Sequence, residues 1–168
     1  MLLEIARLAR LTHPHLTFRV IGYTNIDKVL KAVGNVTITG KYKPEELPEL
    51  LEETTGRLAL FLPGWPETYS YTLSELVAHG FIPLVPDIGA PADRVRAAKF
   101  GVVFPFPTTP EAVLRTIDDI AADRVKPVAS GASPSRFFSG SQVLARLREV
   151  TGHAPAMDGL LTAPADAT

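Results

Sequence analysis

The sequence predicts an α/β fold, a parallel sheet with helices on both faces. Three observations carry that expectation. Short apolar runs alternate with stretches of helical periodicity over residues 1–123. Proline or glycine stands near the ends of most of these runs. A chain of 168 residues, 46% hydrophobic and 21% charged, can bury a single good core.

The elements follow in order. Ile5, Leu8 and Ala9 sit at helical spacing, so residues 2–11 form a helix that begins without a capping residue. Thr12-His13-Pro14 ends it, because the residue before proline avoids helical angles. Leu16 to Gly22 is a first strand, β-branched and aromatic in part. A short helix over about Asp27 to Val33 leads to Gly34, and Val36 to Gly40 is a second strand. Pro44-Glu45-Glu46-Leu47 opens a third helix with proline and acids in its first turn. Its inner face carries Leu47, Leu50 and Leu51.

Arg57 to Leu62 is the third strand, and Pro63-Gly64-Trp65-Pro66 turns the chain. A helix beginning near Ser70 puts Leu73, Leu76 and Val77 on one face and stops at His79-Gly80. Ile82 to Val85 is the fourth strand, followed by Pro86-Asp87-Ile88-Gly89-Ala90. A helix over about Pro91 to Phe100, a fifth strand from Gly101 to Phe104, and a helix from Thr108 complete the pattern. Residues 124–135 read as a loop, Ser141 to Val150 as a terminal helix, and 151–168 as a mobile or extended tail.

Right-handed crossovers place every strand-to-helix loop at one sheet edge. Gly22, Gly40, Glu67 and Gly89 are therefore expected in one neighbourhood. Composition excludes several classes. A net charge of -1 argues against a nucleic-acid partner. No cysteine is present, so disulfides and thiolate metal sites are excluded. No apolar run approaches the roughly 20 residues of a membrane span. Glu4 and Arg7 interrupt any signal-peptide core, and a cytoplasmic location is expected. The four histidines show no metal-ligand spacing, and no metal is expected.

Chemistry concentrates in Glu67-Thr68-Tyr69-Ser70-Tyr71-Thr72-Leu73-Ser74-Glu75. A helix starting near Ser70 offers unpaired N–H groups and partial positive charge, a setting for phosphate or diphosphate. Ser70 and Thr72 add hydroxyl donors. Glu67 and Glu75 have seven residues between them. If all of these were helical, Glu75 would lie about 12 Å further along and rotated by about 80°. Two acceptors flanking an anion site suit a sugar, a diphosphate and a ribose. The bland alternative is a first-turn acid at Glu67 and a solvated residue at Glu75. Trp65 is read as a packing residue with a sugar-pocket role as the alternative. Lys41 is read equally as a phosphate or base ligand and as a solvated loop residue.

The stretch resembles the C-terminal domain of a GT-B glycosyltransferase of the large retaining group one, family four, class. The residues that carry the resemblance are Pro63 to Glu67, Glu75, Ala78, Gly80 and Pro83-Leu84-Val85. They follow that class's Glu–seven residues–Glu motif. It extends through Val36 to Gly40 with Pro44-Glu45-Glu46-Leu47, Asp87-Ile88-Gly89-Ala90 with Arg94-Val95, and Gly101-Val102-Val103, covering about residues 3–122. The class's Gly-Phe-Gly after the first Glu is here Thr68-Tyr69-Ser70, as in bacterial surface-polysaccharide transferases. Asp93 stands near a position where the class often carries an acid.

The resemblance implies a Rossmann-like, nucleotide-sugar-binding domain over residues 1–123. It implies transfer of a sugar from a nucleotide diphosphate donor to a glycan or lipid-linked acceptor, with retention and without a metal or other cofactor. It assigns Glu67 to the catalytic centre, on the donor-sugar hydroxyls, and Glu75 to the ribose. Tyr69, Ser70, Tyr71 and Thr72 would meet sugar and diphosphate through backbone N–H groups. Gly40, Lys41 and Tyr42 would lie near the base, and Gly89 in the glycine turn beside the donor. The acceptor-binding N-terminal domain and the first strand of the C-terminal domain would be supplied elsewhere in the same polypeptide. This chain alone would bind nucleotide weakly and turn over nothing. The absent domain would set any location at the inner face of the membrane. A non-catalytic nucleotide-sugar-binding module or an epimerase-like relative remains the alternative.

Overall fold

The computed structural model describes residues 1–125. The expected loop from residue 126, the terminal helix and the tail lie outside the described residues. Helices α1 (Leu2–Thr12), α2 (Asp27–Ala32), α3 (Leu47–Glu52), α4 (Tyr71–Ala78), α5 (Gly89–Ala98) and α6 (Pro110–Ala121) alternate with five strands. The strands are β1 (Phe18–Val20), β2 (Val36–Ile38), β3 (Leu58–Leu60), β4 (Ile82–Pro86) and β5 (Val102–Phe104). Every strand pairing is parallel. The chain is therefore α/β with parallel strands flanked by helices.

One expectation needs correction. The strands form two sheets, β1-β2 and β3-β4-β5, and not one continuous sheet. The physical reason is that β1 and β3 exchange no ladder hydrogen bonds and a cavity of about 950 Å³ lies between them. Its lining includes Phe18 to Ile21 on one side and Leu58 to Leu62 on the other.

Side-chain alternation along the strands explains the layers. Leu84 of β4 and Phe104 of β5 are buried with Ile5 and Ala9 of α1 and Val113 and Leu114 of α6. The opposite face presents Ala59, which packs with Leu51 of α3 and Phe81; Phe61 and Leu76 of α4 join them. The three-stranded sheet therefore has helices on both faces. In the two-stranded sheet, Val36 packs with Ala6 of α1 and Leu30 of α2, and Phe18, Val20 and Ile38 join that layer. Helix α1 thus touches both sheets. Its end is tied to α6, because His13 Nε2 lies 3.1 Å from both Asp118 carboxylate oxygens.

Helix boundaries reflect local chemistry. Ser70 caps α4 by accepting the Leu73 N–H at 3.4 Å, and Thr109 caps α6 by accepting the Ala112 N–H at 3.3 Å. The fifth helix starts two residues before the expected Pro91, at Gly89. Proline in the third helical position costs no hydrogen bond, since first-turn N–H groups have no intrahelical partner. Lys99, in the left-handed region at φ 50°, ends that helix.

Leu84 is fully buried between helices and sheet. Leu84→Ala is expected to cost about 2–5 kcal/mol, read as a lower urea midpoint. Asp27 accepts from the Thr24 N–H at 2.6 Å and hydroxyl at 2.7 Å, which holds its carboxyl below the ordinary value of 3.8. A depressed folded value stabilises above the unfolded one, and that contribution disappears as pH falls through the folded value. Asp27→Asn should therefore lower the urea midpoint at neutral pH. The difference from the unmutated chain should vanish well below pH 3.8.

Candidate functional site

The loops that follow the strands gather in two pairs. At the end of the two-stranded sheet, the Gly40 N–H donates to the Gly22 carbonyl at 2.9 Å, and the Gly22 N–H donates to Thr39 Oγ1 at 2.8 Å. Lys41 and Tyr42 follow, both exposed. Lys41 Nζ stands 5.5 Å from the centre of the Tyr23 ring, a cation–π contact at an exposed site. Lys41 is thus held over an aromatic ring at the sheet end.

At the end of the three-stranded sheet, the Ala90 N–H donates to the Glu67 carbonyl at 2.9 Å. Gly89 is pressed against the same peptide. A Cβ there would meet Glu67 N and O at 2.8 Å each, and its φ is 68°. Only glycine satisfies both the backbone angle and the contact. The turn after β4 thereby positions the loop after β3, and Glu67 is half-buried beside it.

The mouth of α4 comes next. Ser70 is buried and its side chain is committed to Leu73. The N–H groups of Tyr71 and Thr72 lie in the first turn, where no intrahelical acceptor exists. That turn holds no acid. Its partial positive charge therefore stays uncompensated within the helix. Two large aromatics stand beside the mouth, Tyr71 at 73% and Trp65 at 71% exposure. The expectation that Trp65 is a packing residue is thus corrected. The proline-rich turn Pro63-Gly64-Trp65-Pro66 carries it outward, away from any core cluster.

The helical ruler between the two glutamates is also corrected. Glu67 precedes α4 and is not a first-turn acid. Glu75 is an exposed residue just over one turn inside the helix, since α4 begins at Tyr71. Glu75, Thr72 and Tyr42 line the cavity between the sheets, whereas Glu67, Gly40, Lys41 and Gly89 do not. The structure therefore groups Glu67 with Gly89, and Glu75 with Thr72 and Tyr42.

One residue was quoted in the sequence only as part of a pattern and acquires a role here. Arg94 of α5 donates to the Ser70 carbonyl at 2.7 Å and to Ser74 Oγ at 2.7 Å. Its guanidinium also lies 4.2 Å from the centre of the Tyr69 ring. Tyr69 in turn packs edge-on against Tyr71, with ring centres 4.9 Å apart. Burial draws the Arg94 pKa down from its ordinary value, opposed by the nearby Tyr69 oxygen. The group stays cationic, as arginine does in proteins. Its planar fork bridges the loop before α4 to the helix itself, which a lysine point charge cannot do. The signal available in the sequence was an arginine one turn into the helix after a glycine turn.

Among the described residues no group of three or more His, Cys, Asp or Glu is placed to hold a metal ion. Asp87 is engaged with Arg96 across the turn, which lowers the Asp87 pKa, and does not face the α4 mouth through that contact. Asp93, at the weakly matched acidic position, is exposed.

Arg94→Ala should loosen the α4 mouth. Amide exchange over residues 69–74 is expected to quicken by about tenfold or more, with β4 amides unchanged. Arg94→Lys should recover little of that protection. Gly89→Ala is expected to shift the Glu67 and Ala90 amide resonances, because the added methyl cannot fit against the Glu67 peptide.

The chain matches no known protein family, and it matches no curated protein.

Proposed function

We propose that residues 1–123 form a Rossmann-like donor-binding domain of a glycosyltransferase that uses a nucleotide diphosphate sugar. The observation that carries this reading is the α4 mouth. It is a serine-capped helix start with no acid in its first turn, flanked by a half-buried Glu67 and by Glu75. A diphosphate meets the Tyr71 and Thr72 N–H groups there and gains from the helix dipole. Glu67 accepts hydrogen bonds from donor-sugar hydroxyls, at the centre where the sugar bond breaks. Glu75 accepts from ribose hydroxyls, and Gly40, Lys41 and Tyr42 meet the base, Tyr42 from the cavity wall that it shares with Glu75. Exposed Trp65 and Tyr71 offer aromatic faces to the apolar side of a sugar ring.

In the transfer, the bond between the anomeric carbon and the diphosphate oxygen breaks. A bond forms from that carbon to an acceptor hydroxyl oxygen, and the hydroxyl proton leaves with the diphosphate. Charge building on the leaving group is met by the helix N–H groups, as in other sites that place fixed donors where charge develops. The acceptor, a glycan or lipid-linked saccharide, and the groups that hold it belong to a further domain of the same polypeptide. In the chain as given, donor binding is weak and transfer does not occur. Among the described residues no helix is long and apolar enough to cross a membrane. A cytoplasmic site of action is part of the same proposal.

The test is an NMR titration of the 168-residue chain with UDP, GDP, ADP and their sugars. Shifts concentrated at residues 40–42, 67–75 and 89–90 are expected with one base preferred. Glu75→Ala should weaken nucleotide and nucleotide sugar alike. Glu67→Ala should weaken the sugar nucleotide more than the bare nucleotide. Unchanged binding in both variants, or shifts confined to other regions, would falsify the donor-site reading. Binding of the donor accompanied by measurable sugar transfer would instead overturn the need for a second domain.

A further inference from the structure

We propose that the outer face of α2, with the loop that leads into it, docks on the surface of an anionic lipid bilayer.

Charge is the first ground. The chain is nearly neutral as a whole, with a net charge of -1, yet its charges are unevenly placed. Residues 1–43 hold seven Lys and Arg against two acids, whereas residues 44–125 hold six against thirteen. The first of these segments builds α1, α2 and the two-stranded sheet. Such asymmetry between parts of one chain points to a polyanionic partner. Lys28 and Lys31 of α2 are exposed. Lys41 reaches the same neighbourhood, since its Nζ stands over the ring of Tyr23, just before the helix. Arg10 of α1 extends the basic face at the far end of α2, because a Cβ on Gly34 would lie 3.9 Å from its Nε. Of the two acids, Asp27 is engaged by the Thr24 N–H and hydroxyl, and Glu4 stands on α1.

Apolar exposure is the second ground. Tyr23, Ile26 and Val29 are 63%, 38% and 43% exposed, and they interleave with the lysines along one short stretch. Leu30, in contrast, is buried with Ala6 and Val36, so α2 commits one face to the core and turns these residues outward. Ile26 and Val29 are three positions apart, which makes them neighbours on the helix surface. Apolar surface rimmed by charge marks a contact face.

The two grounds together choose the partner. A nucleic acid engages the lysines but leaves Ile26 and Val29 in water. A bilayer uses both. Ile26 and Val29 enter the boundary between headgroups and acyl chains, and Tyr23 sits at headgroup level, where tyrosine is enriched. Lys28 and Lys31 lay their stems along the apolar surface and reach the lipid phosphates. The acid-rich remainder is repelled by the same surface, so a single face turns to the bilayer. Glu67, Glu75 and the α4 mouth take no part, and docking is separable from donor binding.

The experiment mixes the full 168-residue chain with vesicles and reads the bound fraction by sedimentation. The vesicles are phosphatidylcholine alone, or phosphatidylcholine with about one part in three phosphatidylglycerol. Binding to the anionic vesicles only is expected, weakening as added salt shortens the screening length. Lys28→Gln with Lys31→Gln should weaken it about 25-fold, near fivefold for each charge. Ile26→Ser with Val29→Ser should weaken it by about tenfold or more. Serine is a favoured residue at a helix cap, and circular dichroism checks that each variant keeps its fold. Lys99→Gln with Arg115→Gln removes the same charge from exposed positions elsewhere and should leave binding unchanged. Absence of binding by the unmutated chain overturns the proposal, as does equal binding to neutral vesicles. An equal loss in the Lys99 and Arg115 variant also overturns it, because net charge and not this face then acts. So does binding to polyglutamate or a single-stranded oligonucleotide as tight as to the vesicles, with the Ile26 and Val29 variant unaffected. That result assigns the face to a soluble polyanion.

Discussion

The structure depends on the burial of β4 on both of its faces. A parallel strand with neighbours on each side must shed water from both faces at once, and Pro83, Leu84, Val85 and Pro86 all do so. Leu84 meets α1 and α6 on one face, while α4 and α5 pack against β4 as well. Burying a side chain such as Leu84 or Val85 contributes about 1.5–3 kcal/mol, enough to fix register against a slip. The pairings Leu58 with Ile82 and Leu84 with Val102 follow from that register. Gly101 records how tight it is, since a Cβ there would meet the Pro83 carbonyl at 2.6 Å.

From that register the site follows. With β3 and β4 aligned, the loops leaving their ends must pass each other closely. The glycine at position 89 allows contact at backbone distance, and the Ala90 to Glu67 hydrogen bond locks it. The helix after Glu67 is then held from the other side by Arg94, which reaches Ser70, Ser74 and Tyr69 together. A helix mouth tethered by backbone and guanidinium contacts keeps its N–H groups aimed without using them. That is what anion binding requires, since a loose mouth would lose ordering entropy on each binding event.

Much of the fold was legible. Among the described residues the five strands and six α-helices fall where apolar runs and helical spacing put them, because each side chain's burial follows a period of 2 or 3.6 along its own element. The start of α5 was not legible at Pro91, because Gly89 enters the helix through a contact with a distant loop. The site was legible as a stretch, since the capping serine and both glutamates lie within nine residues. It was not legible as a geometry. Glu67 lies outside the helix, Glu75 faces a different wall, and Arg94 joins from 24 residues beyond Ser70. Trp65 read as a packing residue by its size, yet the turn that holds it points it to solvent.

By itself the sequence determined what is local. The order of strands and helices, the serine at the start of α4, the absence of thiol chemistry and the two carboxylates of the central stretch are all properties of neighbouring residues. Tertiary structure decided what depends on partners far along the chain. The strands divide into two sheets because β1 and β3 exchange no ladder hydrogen bonds, and no periodicity within either run reports its neighbour. The pairing of Glu67 with Gly89, the tether from Arg94, and the cavity lined by both sheets arise from packing across loops. Such contacts are set by which surfaces exclude water together, and that is a property of the folded chain as a whole.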